Sequence, residues 1–176
     1  MTYAPALNCI KYSVGIELAC GSGQLSFSLS KHTKSWIGTD FSEQMILEAK
    51  KRGEYENLTF ETADATALSY SHEKFDCVLI AKALHIMPKP DEAMKEIYRV
   101  LKPNGTLFAP TFLWKDEKQR KMIKSLMSIL GFKMYQEWDK KEFEDFIKEY
   151  GFSVVEMKLA HGGLAPIGVM IAQKVA

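Results

Sequence analysis

Short β-rich runs alternate with helix-length segments along the first two thirds of this chain, and that alternation leaves few folds open. Ser13–Ala19 reads as a buried strand, and Gly23–Lys31 as a helix with Leu25 and Leu29 on one face. Ser35–Thr39 is a short strand. Ser42 caps a helix through Lys51, with Met45, Ile46 and Ala49 inward and Gly53 beyond its end. Leu58–Thr62 is a third strand, and Phe75–Ala81, "FDCVLIA", is a fourth, apolar enough to be central. Asp91 is placed as the cap of a helix carrying Met94, Ile97, Tyr98 and Leu101 at helical spacing. Lys102–Gly105, "KPNG", is a turn in which Asn104 and Gly105 tolerate positive φ, and Thr106–Phe112 is a fifth strand. Such an order predicts a parallel sheet with helices on both faces.

The last third breaks the pattern. Lys115–Leu130 reads as a helix whose Met122, Ile123, Leu126, Met127 and Leu130 form one apolar stripe. Asp139 and Glu142 have the spacing of a capping box, for a helix ending at Tyr150 before Gly151. Ser153–Leu159 and Ile167–Gln173 then follow with no helix between them, joined around Gly162 and Gly163. A parallel crossover needs roughly a dozen residues or more, so strands this close pair antiparallel and the sheet ends in a reversed hairpin.

Composition excludes several classes. A chain of 176 residues is one domain's worth. A formal net charge of +1 gives no global field to gather nucleic acid. No run approaches the ~18 apolar residues of a membrane span, and Met1–Ile10 lacks the pattern of a signal peptide. Cys9, Cys20 and Cys77 are odd in number and widely spaced, which fits neither a disulfide framework nor a metal site and suits a reducing cytoplasm.

Chemistry is concentrated at the ends of the first three strands. "VGIELACGSGQL" puts Glu17 at the end of an apolar run, then a loop of small residues with Gly21 and Gly23. Glycines at a strand–helix turn let a ligand reach the backbone. Asp40 ends the second strand, where a carboxylate can accept hydrogen bonds from both hydroxyls of a ribose. Asp64 follows the third strand, placed to meet an adenine amino group or to cap its own turn. Three acids at three strand ends outline a site of adenosine shape, and Glu17 can orient the loop or face a cationic group. His85, past the fourth strand, is a candidate general base or a packing residue.

These residues resemble the class I S-adenosylmethionine-dependent methyltransferases, in particular the small-molecule group that includes the ubiquinone/menaquinone methyltransferases. The glycine motif stands here as "ELACGSGQL", the ribose acid lies in "GTDFSEQMIL", and the adenine motif is "ADATAL". "FDCVLIAKALHIMPKPDEAMKEIYRVLKPNGTL" matches the family's fourth strand, helix and turn, and the likeness runs from about Val14 to Gln173. It implies one doubly wound, Rossmann-like α/β domain over residues 1–176, with a seven-stranded, mostly parallel sheet whose last strand is reversed. It implies S-adenosyl-L-methionine as cofactor and a small-molecule methyl acceptor. The cofactor residues it implies are Glu17, Ala19, Cys20, Gly21, Gly23, Asp40, Phe41, Met45, Asp64, Ala65 and Ala81, with no metal.

The chain departs from the family at Leu25 and Asn104, where glycine is common. Only about a dozen residues precede the first strand, where relatives carry covering helices. The site is then open, or covered by a lid-like helical insertion at about 115–138 that contains Lys115–Leu130, or by a second subunit in a homodimer, and a reduced or truncated form is a further alternative. "AKAL" after the fourth strand, in place of an "NPPY"-type motif, argues against an amide or adenine nitrogen as acceptor. Two alternatives stand beside methyl transfer: a cofactor-binding protein without turnover, and a NAD-binding fold. For the second, the third glycine of the fingerprint would fall at Ser26.

Overall fold

The computed structural model describes residues 13–53, 55–114, 135–160 and 166–175. The strands are β1 (Val14–Leu18), β2 (Ser35–Asp40), β3 (Leu58–Thr62), β4 (Phe75–Ile80), β5 (Leu101–Phe108), β6 (Thr111–Phe112), β7 (Phe152–Ala160) and β8 (Ile167–Lys174). The helices are α1 (Gln24–Ser30), α2 (Glu43–Lys51), α3 (Pro90–Val100) and α4 (Lys140–Glu149), with a 3-10 turn at Leu84–Ile86. The described strands join one sheet in the order β3-β2-β1-β4-β5-β8, with β6 and β7 also paired to β8. β5 and β6 pair with successive stretches of β8, so they share one position and the sheet is the expected seven strands wide. β1 to β5 run parallel, and β8 runs antiparallel to its neighbours.

Alternation within the strands sorts the core into two layers. Ile16, Leu18, Val78, Ile80 and Leu107 face one side and pack with Met94 and Ile97 of α3 and Phe143 and Ile147 of α4. Trp36, Phe60, Cys77, Leu79 and Phe108 face the other, with Ile46 and Ala49 of α2 and Leu25 and Leu29 of α1. Gly15 sits in that second layer because Trp36 leaves no room beside it. A Cβ there would stand 2.3 Å from the indole ring.

Local chemistry set most helix ends as read. Ser42 Oγ accepts the Met45 N–H at 3.3 Å, and the Asp139–Glu142 capping box closes in both directions. Four readings change. The first helix turn of α3 is set by Pro90, whose fixed φ suits the first helical position, so Lys89 and not Asp91 is the cap. The Asp91 carboxylate instead accepts the Tyr150 hydroxyl at 2.5 Å. Leu101, read as helical, begins β5, because Pro103 stops the helix ahead of it. "KPNG" is a bulge inside β5, where Phe75 faces Leu101 and Cys77 faces Thr106. Asn104 takes φ +61° there, and Gly105 is needed for space and not for positive φ. The expected strand Thr106–Phe112 is split at Pro110, which has no N–H for the ladder. The expected helix Lys115–Leu130, most of the 115–138 insertion and the Gly162–Gly163 turn lie outside the described residues.

Candidate cofactor and acceptor site

The parallel strands end together along one edge of the sheet, and the chain reverses its order between β1 and β4. Ligands of open α/β sheets bind at such a crevice. Backbone strain marks the same place. Ala19, just past β1, and Lys82, two residues past β4, take φ +54° and +53° although neither is glycine. Each such residue costs about 1–2 kcal/mol, and such strain gathers at functional sites.

Asp40 organises the crevice. Its Oδ2 accepts the Gly21 N–H at 2.8 Å and its Oδ1 accepts the Ser42 N–H at 2.9 Å. One carboxylate thus ties the glycine loop after β1 to the start of α2. Gly21 has φ +54°, and among the described residues nothing lies within 4 Å of where its Cβ would be, so the loop is an open ledge. Gly23, at φ +79°, is instead shut by the Phe60 ring, 2.6 Å from a Cβ there. Cys20 is buried, its N–H bonded to Thr39 O at 2.8 Å, and burial pushes its thiol up, with Glu17 and Asp40 adding to the effect. Phe41 is 78% exposed and Met45 37%, two apolar side chains left uncovered beside Asp40.

Glu17 lies deeper, 2% exposed beneath the loop. Its Oε2 accepts the Ser26 hydroxyl at 2.5 Å, and Ser26 Oγ in turn accepts the Trp36 Nε1–H at 3.1 Å. Burial raises its carboxyl to about 7, opposed by the hydrogen bonds from Ser26 and assisted by Asp40. Glu17 therefore orients the turn from below. Ser26 was missed from sequence, since nothing in a helical serine says that it faces a buried acid nine residues earlier.

Asp64 is exposed and caps its own turn. Its Oδ1 accepts the Thr66 N–H at 2.8 Å and the Thr66 hydroxyl at 2.7 Å, which hold its carboxyl below the usual range. Ala65 is buried and Ala81 half-buried, Ala81 packing against the second core layer. His85 lies apart from the acids, on the β4–β6 side. It is 3% exposed, with Nδ1 3.2 Å from Thr111 Oγ1 and its ring edge-on to Phe112. Burial lowers it to about 4, so the imidazole is neutral near pH 7. Thr111 is a second residue that sequence reasoning missed. Among the described residues no group of three or more His, Cys, Asp or Glu could hold a metal, and no helix is long and apolar enough to cross a membrane.

Comparison with known proteins agrees with this geometry. A family model described as a methyltransferase domain matches residues 16–109. The chain is 31% identical to a demethylmenaquinone methyltransferase of Oceanobacillus iheyensis, over 85% of this chain and 74% of that one. It is also 31% identical to the ubiquinone/menaquinone biosynthesis C-methyltransferase UbiE of Rickettsia prowazekii, over 86% of this chain and 73% of that one. In structure it resembles a SAM-dependent methyltransferase from Methanosarcina mazei, with TM-score 0.83 and 23% identity, over 99% of this chain and 98% of that one. The glycine ledge tied to Asp40 falls inside a match that spans more than half of the chain, and the chain belongs to the methyltransferase-domain family, as an S-adenosylmethionine-dependent methyltransferase.

Proposed function

We propose that this protein methylates a ring carbon of a small quinol-type acceptor, with the cofactor held across the ends of β1, β2 and β4. The observation that carries the reading is the hydrogen bond from Gly21 N–H to Asp40 Oδ2 beside an open ledge. A carboxylate oxygen has two acceptor sites, so Asp40 can keep both backbone partners and still receive ribose hydroxyls. Phe41 offers an uncovered aromatic face for the base, and Asp64 borders it with one oxygen committed to Thr66. Bound S-adenosylmethionine supplies a methyl group made electrophilic by its sulfonium. The chain's own share is alignment, the chief requirement of an in-line transfer.

The acceptor class rests on the relatives named for demethylmenaquinone and for C-methylation. A quinol ring is made electron-rich by its hydroxyls, so its carbon can attack the sulfonium methyl as the S–CH3 bond breaks, and the ring proton of that carbon then passes to water as aromaticity returns, with no strong base required. His85 suits that chemistry as a neutral hydrogen-bonding group, because a site lowered to about 4 is a poor proton acceptor. Calorimetry tests the cofactor half of the reading. S-adenosylmethionine and S-adenosylhomocysteine should both bind and NAD should give no heat; comparable binding of NAD would overturn it.

A further inference from the structure

One hydroxyl governs the far side of the crevice from Asp40. Thr111 opens β6 and is 1% exposed. Its Oγ1 lies 3.2 Å from His85 Nδ1, and among the described residues it has no other hydrogen-bond partner. A hydroxyl always carries a proton to place, and a buried donor without an acceptor forfeits the bond it made with water. Were the imidazole proton on Nδ1, it would donate to Thr111 and leave the hydroxyl proton buried and unpaired. The satisfied arrangement is the reverse. Thr111 O–H donates to Nδ1, and the single proton of the neutral ring sits on Nε2. Burial keeps the ring neutral, as its lowering to about 4 records.

Nε2 is the ring nitrogen left for a ligand. Among the described residues, Trp114 Nε1 is the wholly buried side-chain polar atom that lacks a partner. His85 Nε2 has no partner there either, so it is not wholly buried, and the small exposed part of the residue includes this nitrogen. The backbone that carries it is pinned. His85 O accepts the Tyr135 and Gln136 N–H groups, each at 3.0 Å. Lys82, strained at φ +53°, donates its N–H to Pro110 O at 2.7 Å and so ties the turn after β4 to the turn after β5. Those are the next two strand ends along the edge from Asp40 and Gly21.

We infer that Thr111 is the positioning residue of the acceptor side: it holds His85 as the Nε2–H tautomer, whose N–H donates to an oxygen of the acceptor ring and turns the neighbouring ring carbon toward the methyl group. The identity of that oxygen rests on the quinol reading above, whereas the tautomer does not. The device selects for a ring that bears oxygen, because an ammonium or a hydrocarbon offers Nε2–H nothing to bond.

Two variants separate positioning from packing. Thr111→Val keeps the shape of the side chain and removes the hydroxyl, while Thr111→Ser keeps the hydroxyl and removes a methyl. Long-range ¹H–¹⁵N NMR of protein labelled at histidine, near pH 7 and without acceptor, reads which ring nitrogen is protonated. His85→Gln identifies the His85 signals by their loss. The wild type should carry the proton on Nε2. Its bare Nδ1 signal should move downfield in Thr111→Val, which removes the hydrogen bond, and stay near its place in Thr111→Ser. In turnover with a demethylated naphthoquinol, Thr111→Val should lower kcat/KM roughly tenfold, with Thr111→Ser close to wild type and S-adenosylmethionine affinity unchanged in both. A role in packing alone gives the opposite order, with valine the better replacement. A wild type protonated on Nδ1 overturns the inference whether or not the variants fold, and so does a Thr111→Val enzyme as active as Thr111→Ser. A wild type with the Nε2–H tautomer that methylates no quinol upholds the hold of Thr111 on His85 and removes the quinol reading instead.

Discussion

Replacing Asp40 by alanine is expected to weaken S-adenosylmethionine binding at least ~10-fold, with the protein still folded. Hydrogen bonds to a charged partner contribute about 1.5–3 kcal/mol each, and a ribose offers two. The side chain has a second task, because its oxygens hold the Gly21 and Ser42 N–H groups. Its loss frees the ledge as well as the ribose contact, which is why the effect should be the largest of any single change in the site. Asp40→Asn keeps one carbonyl acceptor and should fall between alanine and wild type. Calorimetry, with circular dichroism as the check on folding, reads the result. Unchanged affinity in a folded Asp40→Ala protein would remove Asp40 from the cofactor site.

Replacing Glu17 by glutamine should change how stability depends on pH. The ordinary carboxyl value is 4.5 and the folded value is about 7. Below pH 4.5 the group is neutral in both states and the fold carries no penalty. Between 4.5 and 7 the unfolded chain ionises while the folded one resists, so the wild type loses stability as pH rises. The loss is complete above 7 and amounts to about 3 kcal/mol. Glutamine abolishes the titration. Any cost of its amide beside Ser26 is constant with pH, so the readout is the difference between variant and wild type. That difference should move by about 3 kcal/mol in the variant's favour from pH 4.5 to pH 8 in denaturant titrations. A difference flat across this range would show that Glu17 ionises freely and is not held in the burial described.

Much of this arrangement is legible in the chain because its signals are local. Ser42 caps α2 three residues from its partner, and Asp139 and Glu142 close a box over the same distance. The reversed hairpin follows from a connection too short for a crossover. Local signals fail where two compete. At α3 an acid and a proline both mark a helix start, and Pro90 prevails. Leu101 has helical spacing, yet Pro103 forces it into β5. The contacts that shape the site span elements and leave no pattern in sequence. Ser26 reaches Glu17 across the turn, Trp36 reaches Ser26 from β2, and Thr111 reaches His85 from β6.

The most direct test of the account is turnover. Purified protein is incubated with S-adenosylmethionine and a demethylated naphthoquinol under reducing conditions, and both products are measured. The account predicts S-adenosylhomocysteine and methylated quinol in equal amounts, with the new methyl on a ring carbon by NMR. S-adenosylmethionine that binds but is never consumed, with this acceptor or across a panel of small phenols, thiols and amines, would contradict it and leave a cofactor-binding protein without turnover.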